Sequence, residues 1–188
     1  MEHYKIMKKF RFHIVFTFCL LSTLLLLVSC HTEKQSGQDF SFPLNEITID
    51  EIHRGYDSGR YTVKEIVSQY INRINNIDQA GPEINSVIIV NPDAVKIADS
   101  LDQIQKRGKN KGLLFGIPVL LKDNIDTHDK MPTTAGSRIL KNSFPLKDSW
   151  VAKKLRDEGA VILGKTNLSE WANYRASYSS SGWSGVGG

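Results

Sequence analysis

The sequence has 188 residues, of which 40% are hydrophobic and 23% are charged, an ordinary globular composition with enough length for about one domain. The formal net charge is +4, and residues 1–11, with four basic side chains against Glu2, contribute +3 of it. No basic stripe interleaved with aromatic residues remains in the rest of the chain. The composition therefore argues against nucleic-acid binding.

The first thirty residues predict an export signal. Lys8, Lys9 and Arg11 form a basic start, and an apolar run follows over residues 14–28. This run is shorter than the roughly 20 residues that a membrane-spanning helix needs. No cluster of positive charges follows it, which favours a cleaved signal peptide over an anchor helix.

The apolar run ends in Leu27-Val28-Ser29-Cys30, which resembles the lipobox of bacterial lipoproteins. The resemblance implies a lipoprotein signal peptide over residues 1–29 and lipidation of Cys30. The lipid would anchor the exported protein to a membrane of the bacterial cell envelope, in the periplasm or at the outer membrane. The alternative is that Cys30 is a small residue near an ordinary cleavage site. The polar residues that follow favour the lipobox and predict a tether over residues 30–46. Since Cys19 lies in the removed segment, the mature chain would have no thiol for a disulfide, a zinc site or catalysis.

Two helices are predicted after the tether. Thr48 opens a short helix that ends near residues 58–59. Thr62 and Glu65 form a capping box, in which each side chain accepts a hydrogen bond from the amide of the other residue. The helix behind this box carries an apolar stripe that faces a core. The stripe consists of Ile66, Tyr70, Ile74 and Ile77.

Strand and helix patterns then alternate. Residues 86–90 and 160–163 are apolar runs rich in β-branched residues, typical of buried strands, and a further strand approach covers residues 113–121. Helices are predicted over residues 92–108 and from an N-cap at Asp148 to residue 159. This alternation predicts an α/β fold with a layered sheet.

Two functional patterns appear without the structural context that they need. Gly159–Thr166 fits the bare phosphate-loop pattern, but a predicted helix precedes it and its apolar residues predict an extended strand, so we expect no nucleotide site. Gly182–Val186 nearly matches a nucleophile elbow, with Val186 where a glycine is needed.

His53 and His128 show no ligand spacing, so no metal site is predicted. Spacing alone does not exclude a Ser-His-Asp triad that contains His53 or His128, because the members of a triad meet in space rather than in sequence.

Lys122 is the candidate catalytic residue. It follows an apolar strand and precedes short polar side chains, so we expect its amine to be desolvated on one side. Desolvation disfavours an ammonium ion and can leave a neutral amine that accepts a proton. Taken without wider context, a solvated lysine, or one paired with Asp123 or Asp126, is the favoured interpretation.

A series of short motifs gives that wider context. They are Gly116-Ile117-Pro118, Lys122-Asp123-Asn124, Thr133-Thr134-Ala135-Gly136-Ser137, Asp157-Glu158-Gly159-Ala160, Gly164-Lys165-Thr166-Asn167, Glu170-Trp171, and Ser179-Ser180-Ser181-Gly182-Trp183-Ser184 with Gly187-Gly188. In this order and spacing they resemble the amidase-signature family, and within it the bacterial peptide-amidase and general amidase branch. The resemblance covers nearly all of the mature chain, from about residue 47 to the end.

The resemblance implies a mixed β-sheet flanked by helices and a hydrolase that needs no cofactor. In the family a neutral lysine takes a proton through a serine held in a cis peptide bond. That serine activates a second serine, which attacks the amide carbonyl while backbone amides stabilise the oxyanion. Lys122 matches the base. Ser179, Ser180 and Ser181 match positions near the substrate, a small amide or peptide amide.

The resemblance also implies that residues 47–188 are a truncated amidase domain. In relatives both catalytic serines belong to a later glycine- and serine-rich stretch, beyond a Gly-Gly like Gly187-Gly188, so we expect this chain to be inactive alone. It would be an incomplete sequence, the product of a frameshifted gene, or an envelope lipoprotein that keeps part of the fold for binding. The aminoacyl-tRNA amidotransferase subunit shares the motifs, but the export signal argues against it because charged tRNA is cytoplasmic.

Overall fold

A computed structural model describes residues 42–108, 112–174, 176–178 and 181–188. The predicted signal peptide, Cys30 and most of the predicted tether lie outside these ranges, as do Ser179 and Ser180. In the ranges that the structure describes, no helix combines the length and the apolar character needed to cross a membrane.

Two capped helices begin the described chain. Helix α1 spans Ile49–Asp57 and helix α2 spans Val63–Arg73, after which the chain makes one π-helical turn, Ile74–Asp78. The N-caps are Thr48 and Thr62, and each forms a complete capping box with the glutamate three residues later. Both predicted helix starts are therefore confirmed.

A three-stranded mixed sheet follows. Its strands are β1, Val87–Val90, β2, Pro118–Lys122, and β3, Val161–Thr166. The order is β1-β3-β2, with β3 antiparallel to β1 and parallel to β2. Helix α3, Ala94–Lys106, lies between β1 and β2 in sequence, and helix α4, Trp150–Asp157, lies between β2 and β3. The predicted class, a mixed sheet flanked by helices, is confirmed.

Different elements cover the two faces of the sheet. Val161 and Leu163 of β3 pack with helices α1, α2 and α3, whereas Ile162 packs with β2 and α4. The first cluster consists of Leu44, Ile52, Tyr56, Val63, Ile66, Val67, Ile74, Val87, Ala94, Ala98, Phe115, Ile117, Val161 and Leu163. The second cluster consists of Leu121, Met131, Ala152 and Ile162. Adjacent residues of β3 thus point to opposite faces, as the pleat of a strand requires.

Gly116 fixes the entry to β2. Its φ is +74°, a region that favours glycine, and an added Cβ would lie 2.8 Å from Tyr56 and 2.8 Å from Val63. The Tyr56 hydroxyl donates to the Gly116 carbonyl oxygen at 2.9 Å. The glycine therefore lets β2 approach helices α1 and α2 closely.

Three local predictions are wrong. Ser149 rather than Asp148 is the N-cap of α4, because its Oγ accepts from the Ala152 amide at 3.2 Å, while Asp148 accepts from Arg156 at 3.1 Å. Strand β3 continues three residues past the predicted end, since residues 164–166 pair with both neighbouring strands. Strand β1 is an outer strand of the described sheet and is half-buried apart from its first residue.

Two short turns complete the described elements. Residues Arg138–Leu140 form a 3₁₀ turn, and residues Glu170–Asn173 form a tight turn in which Trp171 and Ala172 have positive φ angles of 53° and 50°. The first lies in the long connection between β2 and α4, and the second follows β3. The second turn therefore follows the end of β3, whose last residue pairs with Lys122.

Candidate active site

Lys122 is the last residue of β2 and pairs with Thr166, the last residue of β3. In α/β sheets, ligands commonly bind at the carboxyl ends of parallel strands. The Lys122 side chain is exposed among the described residues. The predicted one-sided burial of its amine is therefore not seen in this part of the protein, and a different lysine, Lys165, is fully buried.

The main chain around Lys122 is held on both sides. The amide of Asp123 donates to the Thr166 carbonyl oxygen at 3.1 Å, which continues the pairing of β2 with β3. The amide of Ile125 donates to the carbonyl oxygen of Lys122 at 2.9 Å, which closes a tight turn. The position of Lys122 is thus set by the sheet before it and by the turn after it.

Asp123 is fully buried directly behind Lys122. Its carboxylate accepts from the Thr134 hydroxyl and from the Thr134 amide, and its carbonyl oxygen accepts from the Ala135 amide at 2.8 Å. Burial raises the pKa of Asp123, while the hydrogen bonds from Thr134 and the charge of Lys165 act in the opposite direction. Asp123 therefore joins the end of β2 to the loop that follows it.

Lys165 lies in β3 with its side chain wholly out of solvent. Its Nζ donates to the Ile125 carbonyl oxygen at 2.7 Å and to the Thr133 hydroxyl oxygen at 2.9 Å. Burial lowers the pKa of Lys165, and nearby carboxylates, Asp123 foremost, partly offset that effect. Because its nitrogen is enclosed and already bonded to the loop, Lys165 is poorly placed to exchange a proton with a bound molecule.

The last described segment folds back on the same loop. The amide of Val186 donates to the Gly136 carbonyl oxygen at 3.0 Å, and the amide of Trp171 donates to the Ala135 carbonyl oxygen at 2.8 Å. An added Cβ on Gly136 would lie 2.7 Å from the side chain of Ser184. Residues 184–186 are therefore attached to the loop behind Lys122.

The predicted serines are only partly described. Ser181 has its Oγ 3.3 Å from the Ser169 Oγ, and among the described contacts none joins it to Lys122. Ser184, the serine of the near-match to a nucleophile elbow, is buried and donates to the Asn167 side-chain oxygen at 2.8 Å. It also accepts from the Gly187 amide at 2.8 Å, so its hydroxyl has a structural role in a turn.

The remaining histidine and lysine motifs show no ligand geometry. His53 places Nε2 3.0 Å from the Phe115 carbonyl oxygen. Across the described ranges, no group of three or more His, Cys, Asp or Glu side chains could hold a metal ion. The segment that fits the bare phosphate-loop pattern forms strand β3 from Val161 to Thr166, as its apolar residues predict.

Sequence reasoning missed the burial of Lys165. Lys165 belongs to the rejected phosphate-loop pattern and to the Gly164–Asn167 motif, and neither pattern predicts its burial. The position of Lys165 directly after residues 161–164, which are apolar or small, is a signal for its burial. Residues of the same central strand share their burial.

The fold and site together define an α/β protein with a lysine at the carboxyl end of a parallel strand pair and a second, buried lysine behind it. A family model described as Amidase matches residues 65–183. The chain belongs to the amidase family.

Several proteins of this family are similar to the chain over part of their length. A probable amidase of Arabidopsis thaliana is 40% identical over 164 residues, which is 86% of this chain and 31% of that protein. A glutamyl-tRNA(Gln) amidotransferase component of Alkaliphilus metalliredigens is 41% identical over 130 residues, 69% of this chain and 26% of that protein. The solved peptide amidase from Stenotrophomonas maltophilia matches with a TM-score of 0.75 and 43% identity, over 79% of this chain and 30% of that one. The chain thus spans about a third or less of the length of these relatives.

Proposed function

We propose that Lys122 is the proton acceptor of a serine-dependent amide hydrolase, in the complete protein to which this segment belongs. The observation that carries the proposal is its position at the carboxyl end of β2, with the main chain held by Thr166 before it and by the turn at Ile125 after it. A serine hydroxyl is a weak nucleophile until a base takes its proton. A lysine can do so only as a neutral amine.

The groups that complete the site around Lys122 are proposed to lie in parts of the complete protein outside the described residues. The Lys122 side chain is exposed here, so it is reachable by another segment. We assign the bridging serine, the nucleophilic serine and the oxyanion hole to those same parts. On this proposal the 188-residue chain has no amidase activity alone, and Ser179, Ser180 and Ser181 lie near the substrate.

The proposed substrate is a small amide or a peptide amide, and the proposed reaction needs no cofactor. Support comes from the similarity to a solved peptide amidase at 43% identity. The test is ammonia release from a panel of peptide amides and fatty amides by the protein made from the full reading frame. We expect Lys122→Ala to lower kcat by a factor of about 10² to 10⁴, the usual contribution of a general base.

A matched control is Lys64→Ala, which removes an exposed lysine of helix α2. The Lys64 Nζ lies 3.4 Å from a carboxylate oxygen of Asp99 on helix α3. This variant should leave the rate unchanged. Equal activity of Lys122→Ala and the unaltered protein would remove Lys122 from the mechanism, and no activity in either would favour a binding protein built on the amidase fold.

The proposed location is the bacterial cell envelope, with a lipid on Cys30. Support comes only from the basic start, the apolar run and the lipobox-like residues 27–30. Two or more acyl chains would hold the protein stably on a membrane, whereas one chain binds marginally. We expect the mature protein to begin at Cys30, to carry lipid mass and to sediment with membranes. A Cys30→Ala variant should lack the lipid, and a soluble, unprocessed protein would refute the proposal.

A further inference from the structure

An irregularity in the sheet determines where Lys165 points. Val119 pairs with Ile162, but the next residue of β2, Leu120, pairs with Gly164, so β3 contains one extra residue at this point. An extra residue of this kind re-aims the side chains that follow it. Lys165, which pairs with Leu121, thereby shares the face of the second cluster with Ile162.

Two successive hydrogen bonds connect Lys165 to the main chain of Lys122. The Lys165 Nζ donates to the Ile125 carbonyl oxygen at 2.7 Å, and the Ile125 amide donates to the Lys122 carbonyl oxygen at 2.9 Å. The same nitrogen donates to the Thr133 hydroxyl oxygen at 2.9 Å. Thr133 directly precedes Thr134, which binds the carboxylate of Asp123.

We propose that Lys165 is a positioning residue for Lys122: it holds the turn at Ile125 and the loop at Thr133 against the sheet, and so fixes the strand end from which Lys122 projects. This inference rests on the proposed function of Lys122 as the base. Lys165 itself touches neither substrate nor reacting atoms in this account. Its effect reaches the reaction only through the geometry of the main chain.

Stability alone gives little reason for an amine at this site. Removing an ammonium ion from water is costly, and replacing a buried charge by an apolar side chain of similar volume is often neutral or stabilising. Leu121, Ile162 and Met131 already provide an apolar surface that a methionine at position 165 would extend. What an apolar side chain cannot do is bond the Ile125 carbonyl oxygen and Thr133.

The test uses Lys165→Met in the full-length protein, with amide hydrolysis and amide hydrogen exchange as readouts. A misplacement of about 1 Å can lower a rate about 100-fold, so we expect kcat to fall by about 10-fold to 100-fold. KM should change by less than about twofold, because a loss confined to the transition state lowers kcat alone. The amides of Ile125 and Thr134 should exchange faster, while the Asn91 amide, bonded to Leu163 in the sheet, should keep its rate.

Two further variants keep the test decisive. Thr133→Val keeps the branched shape and removes one acceptor of Lys165, so it should lower kcat less than Lys165→Met and in the same direction. If Lys165→Met does not fold, the kcat of Thr133→Val tests the positioning role in its place. Ile162→Leu, which repacks the same face without touching the loop, should leave kcat unchanged.

The outcomes separate this inference from the proposed function. If Lys122→Ala lowers kcat as expected but folded Lys165→Met retains its kcat, the positioning role is refuted while the base assignment stands. A Lys165→Met protein that raises KM with kcat unchanged also overturns the role. If Lys122→Ala remains fully active, the proposed function itself fails.

Discussion

The two faces of the sheet are built on different principles. Among the described residues, the first cluster contains fourteen buried apolar side chains from three helices, two strands and the segments next to them, whereas the second contains only four. The second cluster is instead continued by buried polar side chains that bond to one another. These are Asp123, Thr133, Thr134 and Lys165.

This difference separates what holds the fold from what positions the site. Apolar burial is non-directional and tolerates small shifts, so the first cluster can stabilise the domain without fixing any one side chain closely. A network of hydrogen bonds has strict geometry, and a partly satisfied network is costly. The second face therefore gives less apolar stabilisation but sets the position of the strand end that carries Lys122.

The largest expected effect comes from deleting an apolar side chain of the first cluster. Ile66 on α2 is fully buried, so Ile66→Ala should lower the free energy of unfolding by about 2–5 kcal/mol. The measurement is denaturant unfolding of the full-length protein. If the two faces have separate roles, kcat of the remaining folded protein should stay within about twofold of the unaltered value, since Ile66 is fully buried in the first cluster.

The control is Val95→Ala on α3, where the side chain is 37% exposed. An exposed substitution of this kind should change the free energy of unfolding by about 0.5 kcal/mol or less. A fall of kcat in folded Ile66→Ala as large as that expected for Lys165→Met would show that the two faces are not separable. The comparison between them would then be wrong.

The first cluster could be predicted from the sequence more fully than the second. The helix spacing of Ile66 and Ile74 and the capping threonine at position 62 were sufficient to place α2, and both apolar residues are buried. Periodicity works here because the apolar stripe itself determines the packing. Periodicity does not predict the buried carboxylate of Asp102, which accepts a hydrogen bond from the Val63 amide at 2.7 Å across 39 residues of sequence.

The second face shows what periodicity cannot supply. The sequence placed Lys122 correctly at the end of its strand, but the extra residue in β3 reverses the alternation before Lys165. No pattern of apolar residues encodes such a shift, because it depends on how β2 and β3 pair. Likewise Asp148 and Ser149 are both good N-caps, and only the tertiary partner Arg156 decides between them.

A smaller effect, the pH dependence of stability, tests the electrostatics of the second face directly. Burial is the largest cause that holds the pKa of Lys165 below its ordinary value of 10.5. Above pH 10.5 the amine is neutral in both folded and unfolded chains. As the pH falls from there through the lowered pKa, the unfolded chain takes up the proton more readily, so the folded state loses stability. The groups that act on the amine besides burial are Asp123, Asp129, Asp126 and Arg156.

The Lys165→Met variant has no amine to titrate at this position. Its free energy of unfolding is therefore the reference against which the contribution of Lys165 is measured. The free energy of unfolding of the unaltered protein should rise relative to that of the variant as the pH increases towards 10.5. Urea unfolding of both proteins at a series of alkaline pH values measures this difference, and titrations common to both, including that of buried Tyr56, cancel. A difference that stays constant, or that moves in favour of Lys165→Met at alkaline pH, would mean that the Lys165 amine is not held in a dry site. The distinction between the apolar and the polar face would then lose its electrostatic basis.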